Sequence, residues 1–433
     1  MKNTPPRPLR PSAPSALESS QFDPRYRLEP PKVDDPGARK RARFVAEQQK
    51  QLMVTIPHRP ANIGWFQDLV DRGAAEGSGP LVGYFCNMIP VELIFALGGR
   101  PVRIDCGNPA LVAAGEEALS GEICPLAKSS FALAMDPEGL PNRCDALVMP
   151  ASCDAKRKLG EVLADYRPVF TFNLPPEQDA GRYGAAAAAE VERLGDWLAG
   201  TLGRKLTTGA LVEAIELTRR RAALVRELQA ARAAEPAALS VRDFFLVVQA
   251  SFTGVALEKW LAEAGKVLAG VRAFKSARKR LRPRLVLTGA PIVWPNFKPL
   301  NLIEECGADV IADTVCTGAQ SCFDPVVYDE KGRAALMRAL AARYVFASPC
   351  PCFVSQGTRI SRVLDLVGEF KADGVLNYGL RLCQLFDMEA YRLSRVLKAR
   401  KVPFANLRTD YSLEDTEQLR VRLEAFLETL DGG

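Results

Sequence analysis

Apolar and polar positions alternate along the chain in a way that predicts two strand–helix series. The first series contains four short apolar runs, at 81–85, 101–104, 146–149 and 168–174. The second series contains four more, at 285–288, 309–315, 375–380 and 403–407. Segments of helical periodicity separate these runs, and repeated βα units of this length are typical of a doubly wound parallel sheet. We therefore predict an α/β protein with two Rossmann-like domains.

The middle of the chain has a different pattern, with helical periodicity and little strand signal. Its predicted helices cover 185–202, 207–234 and 241–281. This stretch divides the chain into four predicted parts: an N-terminal extension with one helix (1–57), a first α/β domain (58–184), a helical connector (185–282) and a second α/β domain (283–433). A ligand site is expected in the cleft between the two α/β domains.

Composition favours a soluble globular protein, because 48% of the residues are hydrophobic and 25% are charged. No run approaches the roughly 18 uninterrupted apolar residues of a membrane helix, and the Pro-rich start lacks the apolar core of a signal peptide. We therefore expect a cytoplasmic protein without a membrane partner. The net charge of +6 is modest for 433 residues. Without an aromatic-basic RNA signature or zinc-finger spacing, no nucleic-acid partner is expected.

Histidine and cysteine usage narrows the chemistry. The chain has one histidine, His58, which excludes multi-histidine metal sites and argues against a Ser-His-Asp hydrolase. It has 11 cysteines, although a cytoplasmic chain of this length needs no disulfide framework. The thiols are therefore expected to be free, catalytic or metal-bound.

The positions of seven cysteines suggest that they share one site. Four of them follow predicted strands at the carboxyl end, where open α/β sheets bind ligands: Cys86, Cys153, Cys316 and Cys383. Cys124 begins a predicted helix, where free N–H groups and the helix dipole favour a thiolate. Cys350 and Cys352 lie in a short loop between prolines. Thiols that converge from two domains on one cleft are what an iron–sulfur cluster requires.

Two other interpretations compete with a cluster. A cytoplasmic cysteine is most often a small buried hydrophobe, and we favour this interpretation for four thiols: Cys106, Cys144, Cys306 and Cys322. Zinc is the competing metal, but the chain lacks the C-x-x-C pair that structural zinc sites usually contain. The ferredoxin-type C-x-x-C-x-x-C run is also absent. The pattern therefore predicts a site assembled by tertiary convergence.

Phosphate-binding motifs are missing, and one helix offers candidate polar groups. The chain has no G-x-x-x-x-G-K-[ST] segment and no G-x-G-x-x-G after a strand, so it is expected to lack a nucleotide site of its own. Lys128, Ser129 and Ser130 lie one turn after Cys124. They are candidates to donate hydrogen bonds to cluster sulfides or to a substrate anion. The alternative is a plain helix-surface role.

Several segments resemble the 2-hydroxyacyl-CoA dehydratase and benzoyl-CoA reductase family. Gly83-Tyr84-Phe85-Cys86-Asn87-Met88-Ile89-Pro90 is similar to its first cluster segment, and Cys124-Pro125-Leu126-Ala127-Lys128-Ser129-Ser130 is similar to its second. Further segments continue the match: Cys153-Asp154, Leu287-Thr288-Gly289-Ala290-Pro291, Asp313-Thr314-Val315-Cys316-Thr317-Gly318, Asp373 through Cys383, and Arg422 through Glu428. The resemblance covers about residues 80–430.

Within that superfamily, the Cys-Pro-Leu-x-Lys-Ser-Ser form and the Pro-Cys-Pro-Cys loop are most similar to the double-cubane cluster proteins. The resemblance implies two [4Fe–4S] units bridged by a sulfide, an [8Fe–9S] cluster held by six cysteines per subunit. The dehydratases use fewer cysteines and one [4Fe–4S] cluster. The ligands shared across the superfamily correspond to Cys86, Cys124 and Cys383. Those that complete a double cubane correspond to Cys153, Cys316 and either Cys350 or Cys352.

The resemblance also implies partners and leaves three functions open. The first is an ATP-dependent reductase of small molecules, which receives electrons from a separate ATP-hydrolysing [4Fe–4S] activator. The second is a subunit of a 2-hydroxyacyl-CoA dehydratase or benzoyl-CoA reductase. The third is a non-catalytic cluster protein. A homodimer is expected because relatives are dimeric. Gln320 stands where the family pattern has arginine, which bears on the substrate more than on the cluster.

Overall fold

The computed structural model describes residue 43 and residues 59–234, 238–274, 282–354 and 357–431. Two four-stranded parallel sheets form the frame, so the prediction of two Rossmann-like α/β domains is confirmed. The predicted N-terminal extension lies outside the described residues, apart from Arg43, which is helical. His58 also lies outside them.

The first sheet is built from the four apolar runs of the first series. Its strands are β1 (Leu81–Tyr84), β2 (Arg100–Arg103), β3 (Ala146–Pro150) and β4 (Val169–Phe172). They pair in parallel in the order β2-β1-β3-β4. The two central strands, β1 and β3, are buried along their whole length. Uninterrupted apolar runs suit such strands because helices cover both faces of a parallel sheet.

The second sheet repeats this topology. Its strands are β5 (Arg284–Gly289), β6 (Asp309–Asp313), β7 (Gly374–Leu380) and β8 (Phe404–Thr409). They are also parallel, in the order β6-β5-β7-β8. In each sheet the first strand of the series therefore lies between the second and the third. Because all four strands are parallel, their carboxyl ends lie at the same edge of the sheet, where ligand sites form.

Helices surround both sheets. Those of the first part of the chain are α1 (Ile63–Arg72), α2 (Val91–Ala96), α3 (Pro109–Glu116), α4 (Pro125–Met135) and α5 (Asp154–Ala164). The middle part contains α6 (Ala180–Thr201), α7 (Thr208–Arg232), α8 (Val241–Ala250) and α9 (Leu257–Ala273). The last part contains α10 (Lys298–Glu305), α11 (Arg333–Ala341), α12 (Gly357–Phe370), α13 (Gln384–Ala399) and α14 (Thr416–Asp431). The apolar pattern had not predicted α1 and α3.

Side-chain caps determine where the helices of the middle part begin. Asp179, Thr207 and Ser240 each accept a hydrogen bond from a backbone N–H in the first turn of the helix that follows. Such caps satisfy donors that have no partner within the helix. The cap at Asp179 explains why α6 begins five residues before the predicted start at 185.

The helical stretch predicted over 241–281 contains two helices, α8 and α9, in its described part. Between them, Gly254 has a φ of +68°, a left-handed conformation that favours glycine and ends the helical path. The adjacent Thr253 forms a β-bridge with Val102 of β2, and its carbonyl accepts the N–H of Ala75. The turn is therefore held against the first sheet. Residues 275–281 lie outside the described part of the chain.

Helix α7 packs in two hydrophobic cores and connects the two sheets. Leu211 and Ile215, near its start, belong to the core that contains β1 and β3. Val225 and Leu228, near its end, belong to the core that contains β5. Helix α11 also crosses between the halves, since it follows β6 in the chain but packs in the first core. Through these contacts, α7 and α11 join the two halves of the protein.

A buried ion pair links α7 to the end of β6. Arg232 Nη2 donates to Asp313 Oδ2 at 2.9 Å, and neither side chain is exposed. Burial raises the pKa of Asp313 and lowers the pKa of Arg232, while each partner opposes the other's shift. Asp313 Oδ1 also accepts the N–H groups of Val315 and Ala319, at 3.2 and 2.9 Å. One carboxylate therefore shapes the loop that carries Cys316.

Removing this carboxylate should destabilise the protein strongly. We expect Asp313→Ala to lower the free energy of unfolding by about 3–5 kcal/mol, because Arg232 would be left as an unpaired buried charge. Urea denaturation measures the change. Glu227→Ala is the matched control, since its partner Arg272 is 61% exposed and the pair is worth about 1 kcal/mol or less. Equal losses in the two variants would contradict this account.

Glu304 on α10 makes stability depend on pH. Burial raises its pKa to about 7, although its Oε1 accepts the N–H of Val241 at 2.8 Å. Between about pH 4.5 and 7 the folded protein therefore retains a proton that the unfolded chain has released. This difference makes the free energy of unfolding fall as pH rises, by at most about 1.4 kcal/mol per pH unit for this group.

The amide of Glu304→Gln cannot ionise, so we expect the variant to gain stability relative to the wild type between pH 5 and 7. Urea denaturation at pH 5, 6, 7 and 8 measures the difference in slope. Glu161→Gln removes an exposed carboxyl and serves as the control, with a wild-type slope. A wild-type slope in Glu304→Gln as well would show that the carboxyl is already ionised at pH 5.

Candidate metal centre

The seven candidate cysteines lie at the ends of strands, at the starts of helices and in one loop. Cys86 comes two residues after β1, and Cys153, Cys316 and Cys383 each come three residues after a strand, β3, β6 and β7 respectively. We call these four, together with Cys124, Cys350 and Cys352, the thiol set. Each of the seven side chains is partly buried.

Three members of the thiol set are N-cap residues. Cys124 precedes α4, Cys153 precedes α5 and Cys383 precedes α13. Helix α13 begins at Gln384, so Cys383 lies at the positive end of its helix. A hydrogen bond with the Cys383 thiol lowers the pKa of Cys124, and the N–H groups of Leu126 and Ala127 also lower it.

Backbone strain occurs beside two of these thiols. Cys86 has a φ of +61° and Leu382, the neighbour of Cys383, has a φ of +63°. Residues other than glycine rarely adopt this conformation, and such strain often accompanies functional sites. At Cys86 it is compensated by hydrogen bonds, since the Cys86 N–H donates to Asp105 Oδ2 at 3.1 Å.

Electrostatic interactions connect the thiols to one another. Burial raises the pKa of Cys86, and the thiols of Cys350 and Cys316 raise it further. The pKa of Cys153 is raised to about 11, mainly by burial and additionally by Cys86 and Cys124. Cys383 interacts with both Cys124 and Cys153. The fold therefore brings thiols from both sheets near one another.

The proline-rich loop contributes Cys350 and Cys352. It follows a π-helical turn, Ala342–Phe346, and the Gln178 side chain donates to the carbonyls of Val345 and Ser348 at 2.7 Å each. The pKa of Cys350 is raised by a hydrogen bond with Cys352 and by burial. The Cys350 thiol in turn raises the pKa values of Cys86 and Cys316.

The four cysteines interpreted as buried hydrophobes lie in other surroundings. Cys144 is buried, and its thiol donates to the Leu140 carbonyl at 3.4 Å. Cys306 ends α10 near Arg420 of α14. Cys106 and Cys322 are also buried, and the Ser321 hydroxyl donates to the Cys322 sulfur at 3.5 Å.

Lys128, Ser129 and Ser130 direct their polar groups elsewhere. Lys128 Nζ donates to Glu116 and to the Gly121 carbonyl at 2.8 Å. Ser129 donates to the Cys106 carbonyl at 2.5 Å, and Ser130 accepts the Cys106 N–H at 3.0 Å. These bonds attach α4 to the segment after β2. The role of Lys128 and Ser129 near a cluster or a substrate stays a prediction.

Three buried charged residues beside the thiols were missed by sequence analysis. Lys156 Nζ lies 2.9 Å from Cys86 Sγ and donates to Asp105 Oδ1 at 2.6 Å. Arg103 donates to Asp105 Oδ2 at 2.6 Å, to the Cys316 carbonyl at 3.0 Å and to Cys316 Sγ at 3.7 Å. We call Asp105, Lys156 and Arg103 the buried charge triad. Two signals point to it: charged residues at the end of β2, and a lysine one turn after Cys153.

Gln320, which departs from the family pattern, lies against another arginine. It is buried, and its Oε1 accepts from Arg362 Nη1 at 2.8 Å. Arg362 also pairs with Asp324 at 2.8 Å and stacks over the Phe323 ring. A guanidinium from α12 is therefore present beside the position where the family pattern has arginine.

Two cavities border the candidate centre. One, of about 650 Å³, touches Arg103, Asp105 and Thr317, which adjoins Cys316. The other, of about 950 Å³, touches Pro125 and Leu382, the neighbours of Cys124 and Cys383. Neighbours of the thiol set line these two cavities, but no member of the set does.

The donor type of the candidate centre is thiol, which is the ligand that iron–sulfur groups use. Among the described residues, no three His, Cys, Asp or Glu side chains are grouped closely enough to hold one ion. A cluster takes about one thiolate for each outer iron, so its ligands stand farther apart than those of one ion. Thiols, buried cations and helix N-termini are the surroundings that stabilise an anionic cluster.

In the described part of the chain, no helix is both long and apolar enough to cross a membrane.

Comparison with known proteins identifies relatives of nearly full length. YjiM of Escherichia coli (strain K12), provisionally named a dehydratase subunit, is 31% identical over 379 residues, or 84% of this chain and 93% of YjiM. The (R)-2-hydroxyglutaryl-CoA dehydratase subunit beta of Acidaminococcus fermentans is 23% identical, over 81% of this chain and 92% of its own. The lactoyl-CoA dehydratase subunit beta of Anaerotignum propionicum is 21% identical, over 83% and 94%.

The family resemblance noted from the cysteine segments is confirmed by a second comparison. The model of the 2-hydroxyglutaryl-CoA dehydratase, D-component, family matches residues 86–430. This match begins at Cys86 and includes every member of the thiol set. The chain therefore belongs to the 2-hydroxyglutaryl-CoA dehydratase, D-component, family.

Proposed function

We propose that the chain is an iron–sulfur reductase that holds a double-cubane [8Fe–9S] cluster and acts on a small molecule. The proposed ligands are six members of the thiol set: Cys86, Cys124, Cys153, Cys316, Cys350 and Cys383. The observation that carries the proposal is the number of thiols gathered from both sheets. A single [4Fe–4S] cluster is held by four thiolates at most, whereas the thiol set has seven partly buried members.

Cys350 is the better candidate of the two loop cysteines. The Cys350 thiol raises the pKa values of Cys86 and Cys316, while Cys352 forms a hydrogen bond with Cys350 itself. Arg359 lies near the Cys350 thiol and is held by Glu389. Cys352 then has a positioning role in the loop.

A bound cluster would supply low-potential electrons, one at a time. The protein's own groups would exclude water and neutralise charge around it. Lys156 and Arg103 reach the sulfur atoms of Cys86 and Cys316, and hydrogen bonds to sulfur are a means of tuning such centres. The cavity beside Cys124 and Cys383 has room for a small substrate.

The family resemblance implies that electrons would come from a separate ATP-hydrolysing [4Fe–4S] activator, and the sequence itself has no P-loop. We propose a homodimer, which would give a dimeric activator a symmetric docking surface. No disulfide joins the 11 cysteines, all of which lie in the described part of the chain, and disulfides are rare in reducing compartments, so we propose a cytoplasmic location.

A second candidate is a subunit of a 2-hydroxyacyl-CoA dehydratase or a benzoyl-CoA reductase, with one [4Fe–4S] cluster. It is favoured by the names of two relatives, which are beta subunits of acyl-CoA dehydratases. A non-catalytic cluster protein is the third. Acyl-CoA binding and four iron atoms per chain would support the second candidate, and a reducible cluster without turnover would support the third.

Iron and sulfide analysis separates the candidates. We expect anaerobically purified protein to contain about eight iron atoms per chain, and to hydrolyse no ATP unless the activator is added. About four iron atoms per chain would contradict the double cubane and leave the dehydratase subunit as the explanation. ATP hydrolysis by the chain alone would contradict the proposed division of labour.

Single substitutions test the ligand set. We expect Cys86→Ala, Cys124→Ala and Cys383→Ala to lose iron and the EPR signal of the reduced cluster, because each change leaves an iron without its ligand. Cys144→Ala and Cys306→Ala are the matched controls, with iron intact and a loss of stability of about 1–2 kcal/mol. Iron loss from Cys144→Ala together with full iron in Cys86→Ala would show that the assignment is wrong.

A further inference from the structure

The buried charge triad carries more positive charge than its own ion pairs require. Asp105 supplies one negative charge, while Lys156 and Arg103 supply two positive charges, and the three side chains are at most 9% exposed. The buried pair of Arg232 with Asp313, by contrast, is balanced one to one. The surplus charge of the triad faces the thiols of Cys86 and Cys316, which become anionic when they bind a metal.

Each cation of the triad reaches a different cysteine, and these cysteines come from different sheets. Lys156, in the first turn of α5, reaches Cys86 Sγ after β1. Arg103, at the end of β2, donates hydrogen bonds to the carbonyl and to the sulfur of Cys316, which follows β6. Asp105 orients both cations and also accepts the Cys86 N–H. One carboxylate thus positions two donors on two sulfur atoms.

Burial makes these contacts strong. In an interior of low dielectric constant, a charge acts on its neighbour with little screening by water. An electron added to a metal group makes that group more negative. A nearby cation therefore stabilises the reduced form and raises the reduction potential, while a nearby anion has the opposite effect.

We propose that the buried charge triad sets the reduction potential of the iron–sulfur group that Cys86 and Cys316 hold. This inference rests on the proposed function. Lys156 and Arg103 are positioning residues that act through the sulfur atoms, and Asp105 holds both of them. The triad also links the first sheet to the second through the Cys316 carbonyl, so the potential depends on the alignment of the two domains.

Opposite substitutions within the triad test the proposal. In anaerobically purified, iron-loaded full-length protein, we expect Lys156→Met to shift the midpoint potential to a more negative value, because a cation is lost. We expect Asp105→Asn to shift it to a more positive value, because an anion is lost. Lys156→Arg keeps the charge and should restore the wild-type potential. A redox titration followed by EPR measures all four proteins, and it does not depend on turnover.

Lys298→Met is the matched control. Lys298 is as buried as Lys156 and pairs with Asp415 at 2.7 Å, but its other hydrogen bonds go to Thr409 and Ser412. The control should lose stability like Lys156→Met and keep the wild-type potential. If Lys156→Met retains no iron, Lys156→Gln replaces it, because glutamine removes the charge and keeps a donor.

The outcomes separate this inference from the proposed function. Wild-type protein without iron would overturn both the proposed function and the triad's role. Iron-loaded Lys156→Met or Lys156→Gln with the wild-type potential would overturn the triad's role alone. Shifts of the same sign in Lys156→Met and Asp105→Asn would also overturn it, because a general disturbance of the site moves both variants in one direction.

Discussion

A carboxylate stays ionised in a protein interior only where cations and hydrogen bonds compensate for the lost water. Asp105 is fully buried, and burial alone would raise its pKa, but Lys156 and Arg103 together lower it. The pKa of Lys156 and that of Arg103 are raised in turn, because Asp105 and the neighbouring thiols outweigh the effect of burial. The candidate centre is therefore built around this carboxylate. If Asp105 were neutral, the two ion pairs that hold Lys156 beside Cys86 and Arg103 beside Cys316 would be lost.

The two sheets present their cysteines in a repeated way. Both have their first strand between the second and the third, and a cysteine comes three residues after β2, β3, β6 and β7: Cys106, Cys153, Cys316 and Cys383. Cysteines at corresponding positions of the two halves do not always have equivalent surroundings, however. Cys106 occupies the position after β2 that Cys316 occupies after β6, yet it is buried and its backbone bonds to Ser129 and Ser130. Arg103, from the same strand as Cys106, reaches across to Cys316 instead.

The sequence was sufficient for the strands of the two sheets and for the cysteines that follow them, because both depend on local patterns. Apolar runs predicted the strands, and their carboxyl ends pointed to Cys86, Cys153, Cys316 and Cys383. It was not sufficient for the break between α8 and α9, which depends on contact between Thr253 and β2. The charged partners of the thiols could not be predicted from the sequence either. Lys156 is 51 positions from Asp105 and 70 from Cys86, so no local pattern connects them.

Two kinds of positive charge reach the thiol set. Beside Cys86 and Cys316, Lys156 and Arg103 supply complete charges that one substitution can remove. Beside Cys124 and Cys383, the N-termini of α4 and α13 add partial charges, which arise from the peptide groups and remain in every variant. Lys156 also acts on Cys124. The helix termini therefore provide a constant background, and the triad is the part of the site that a single substitution can adjust.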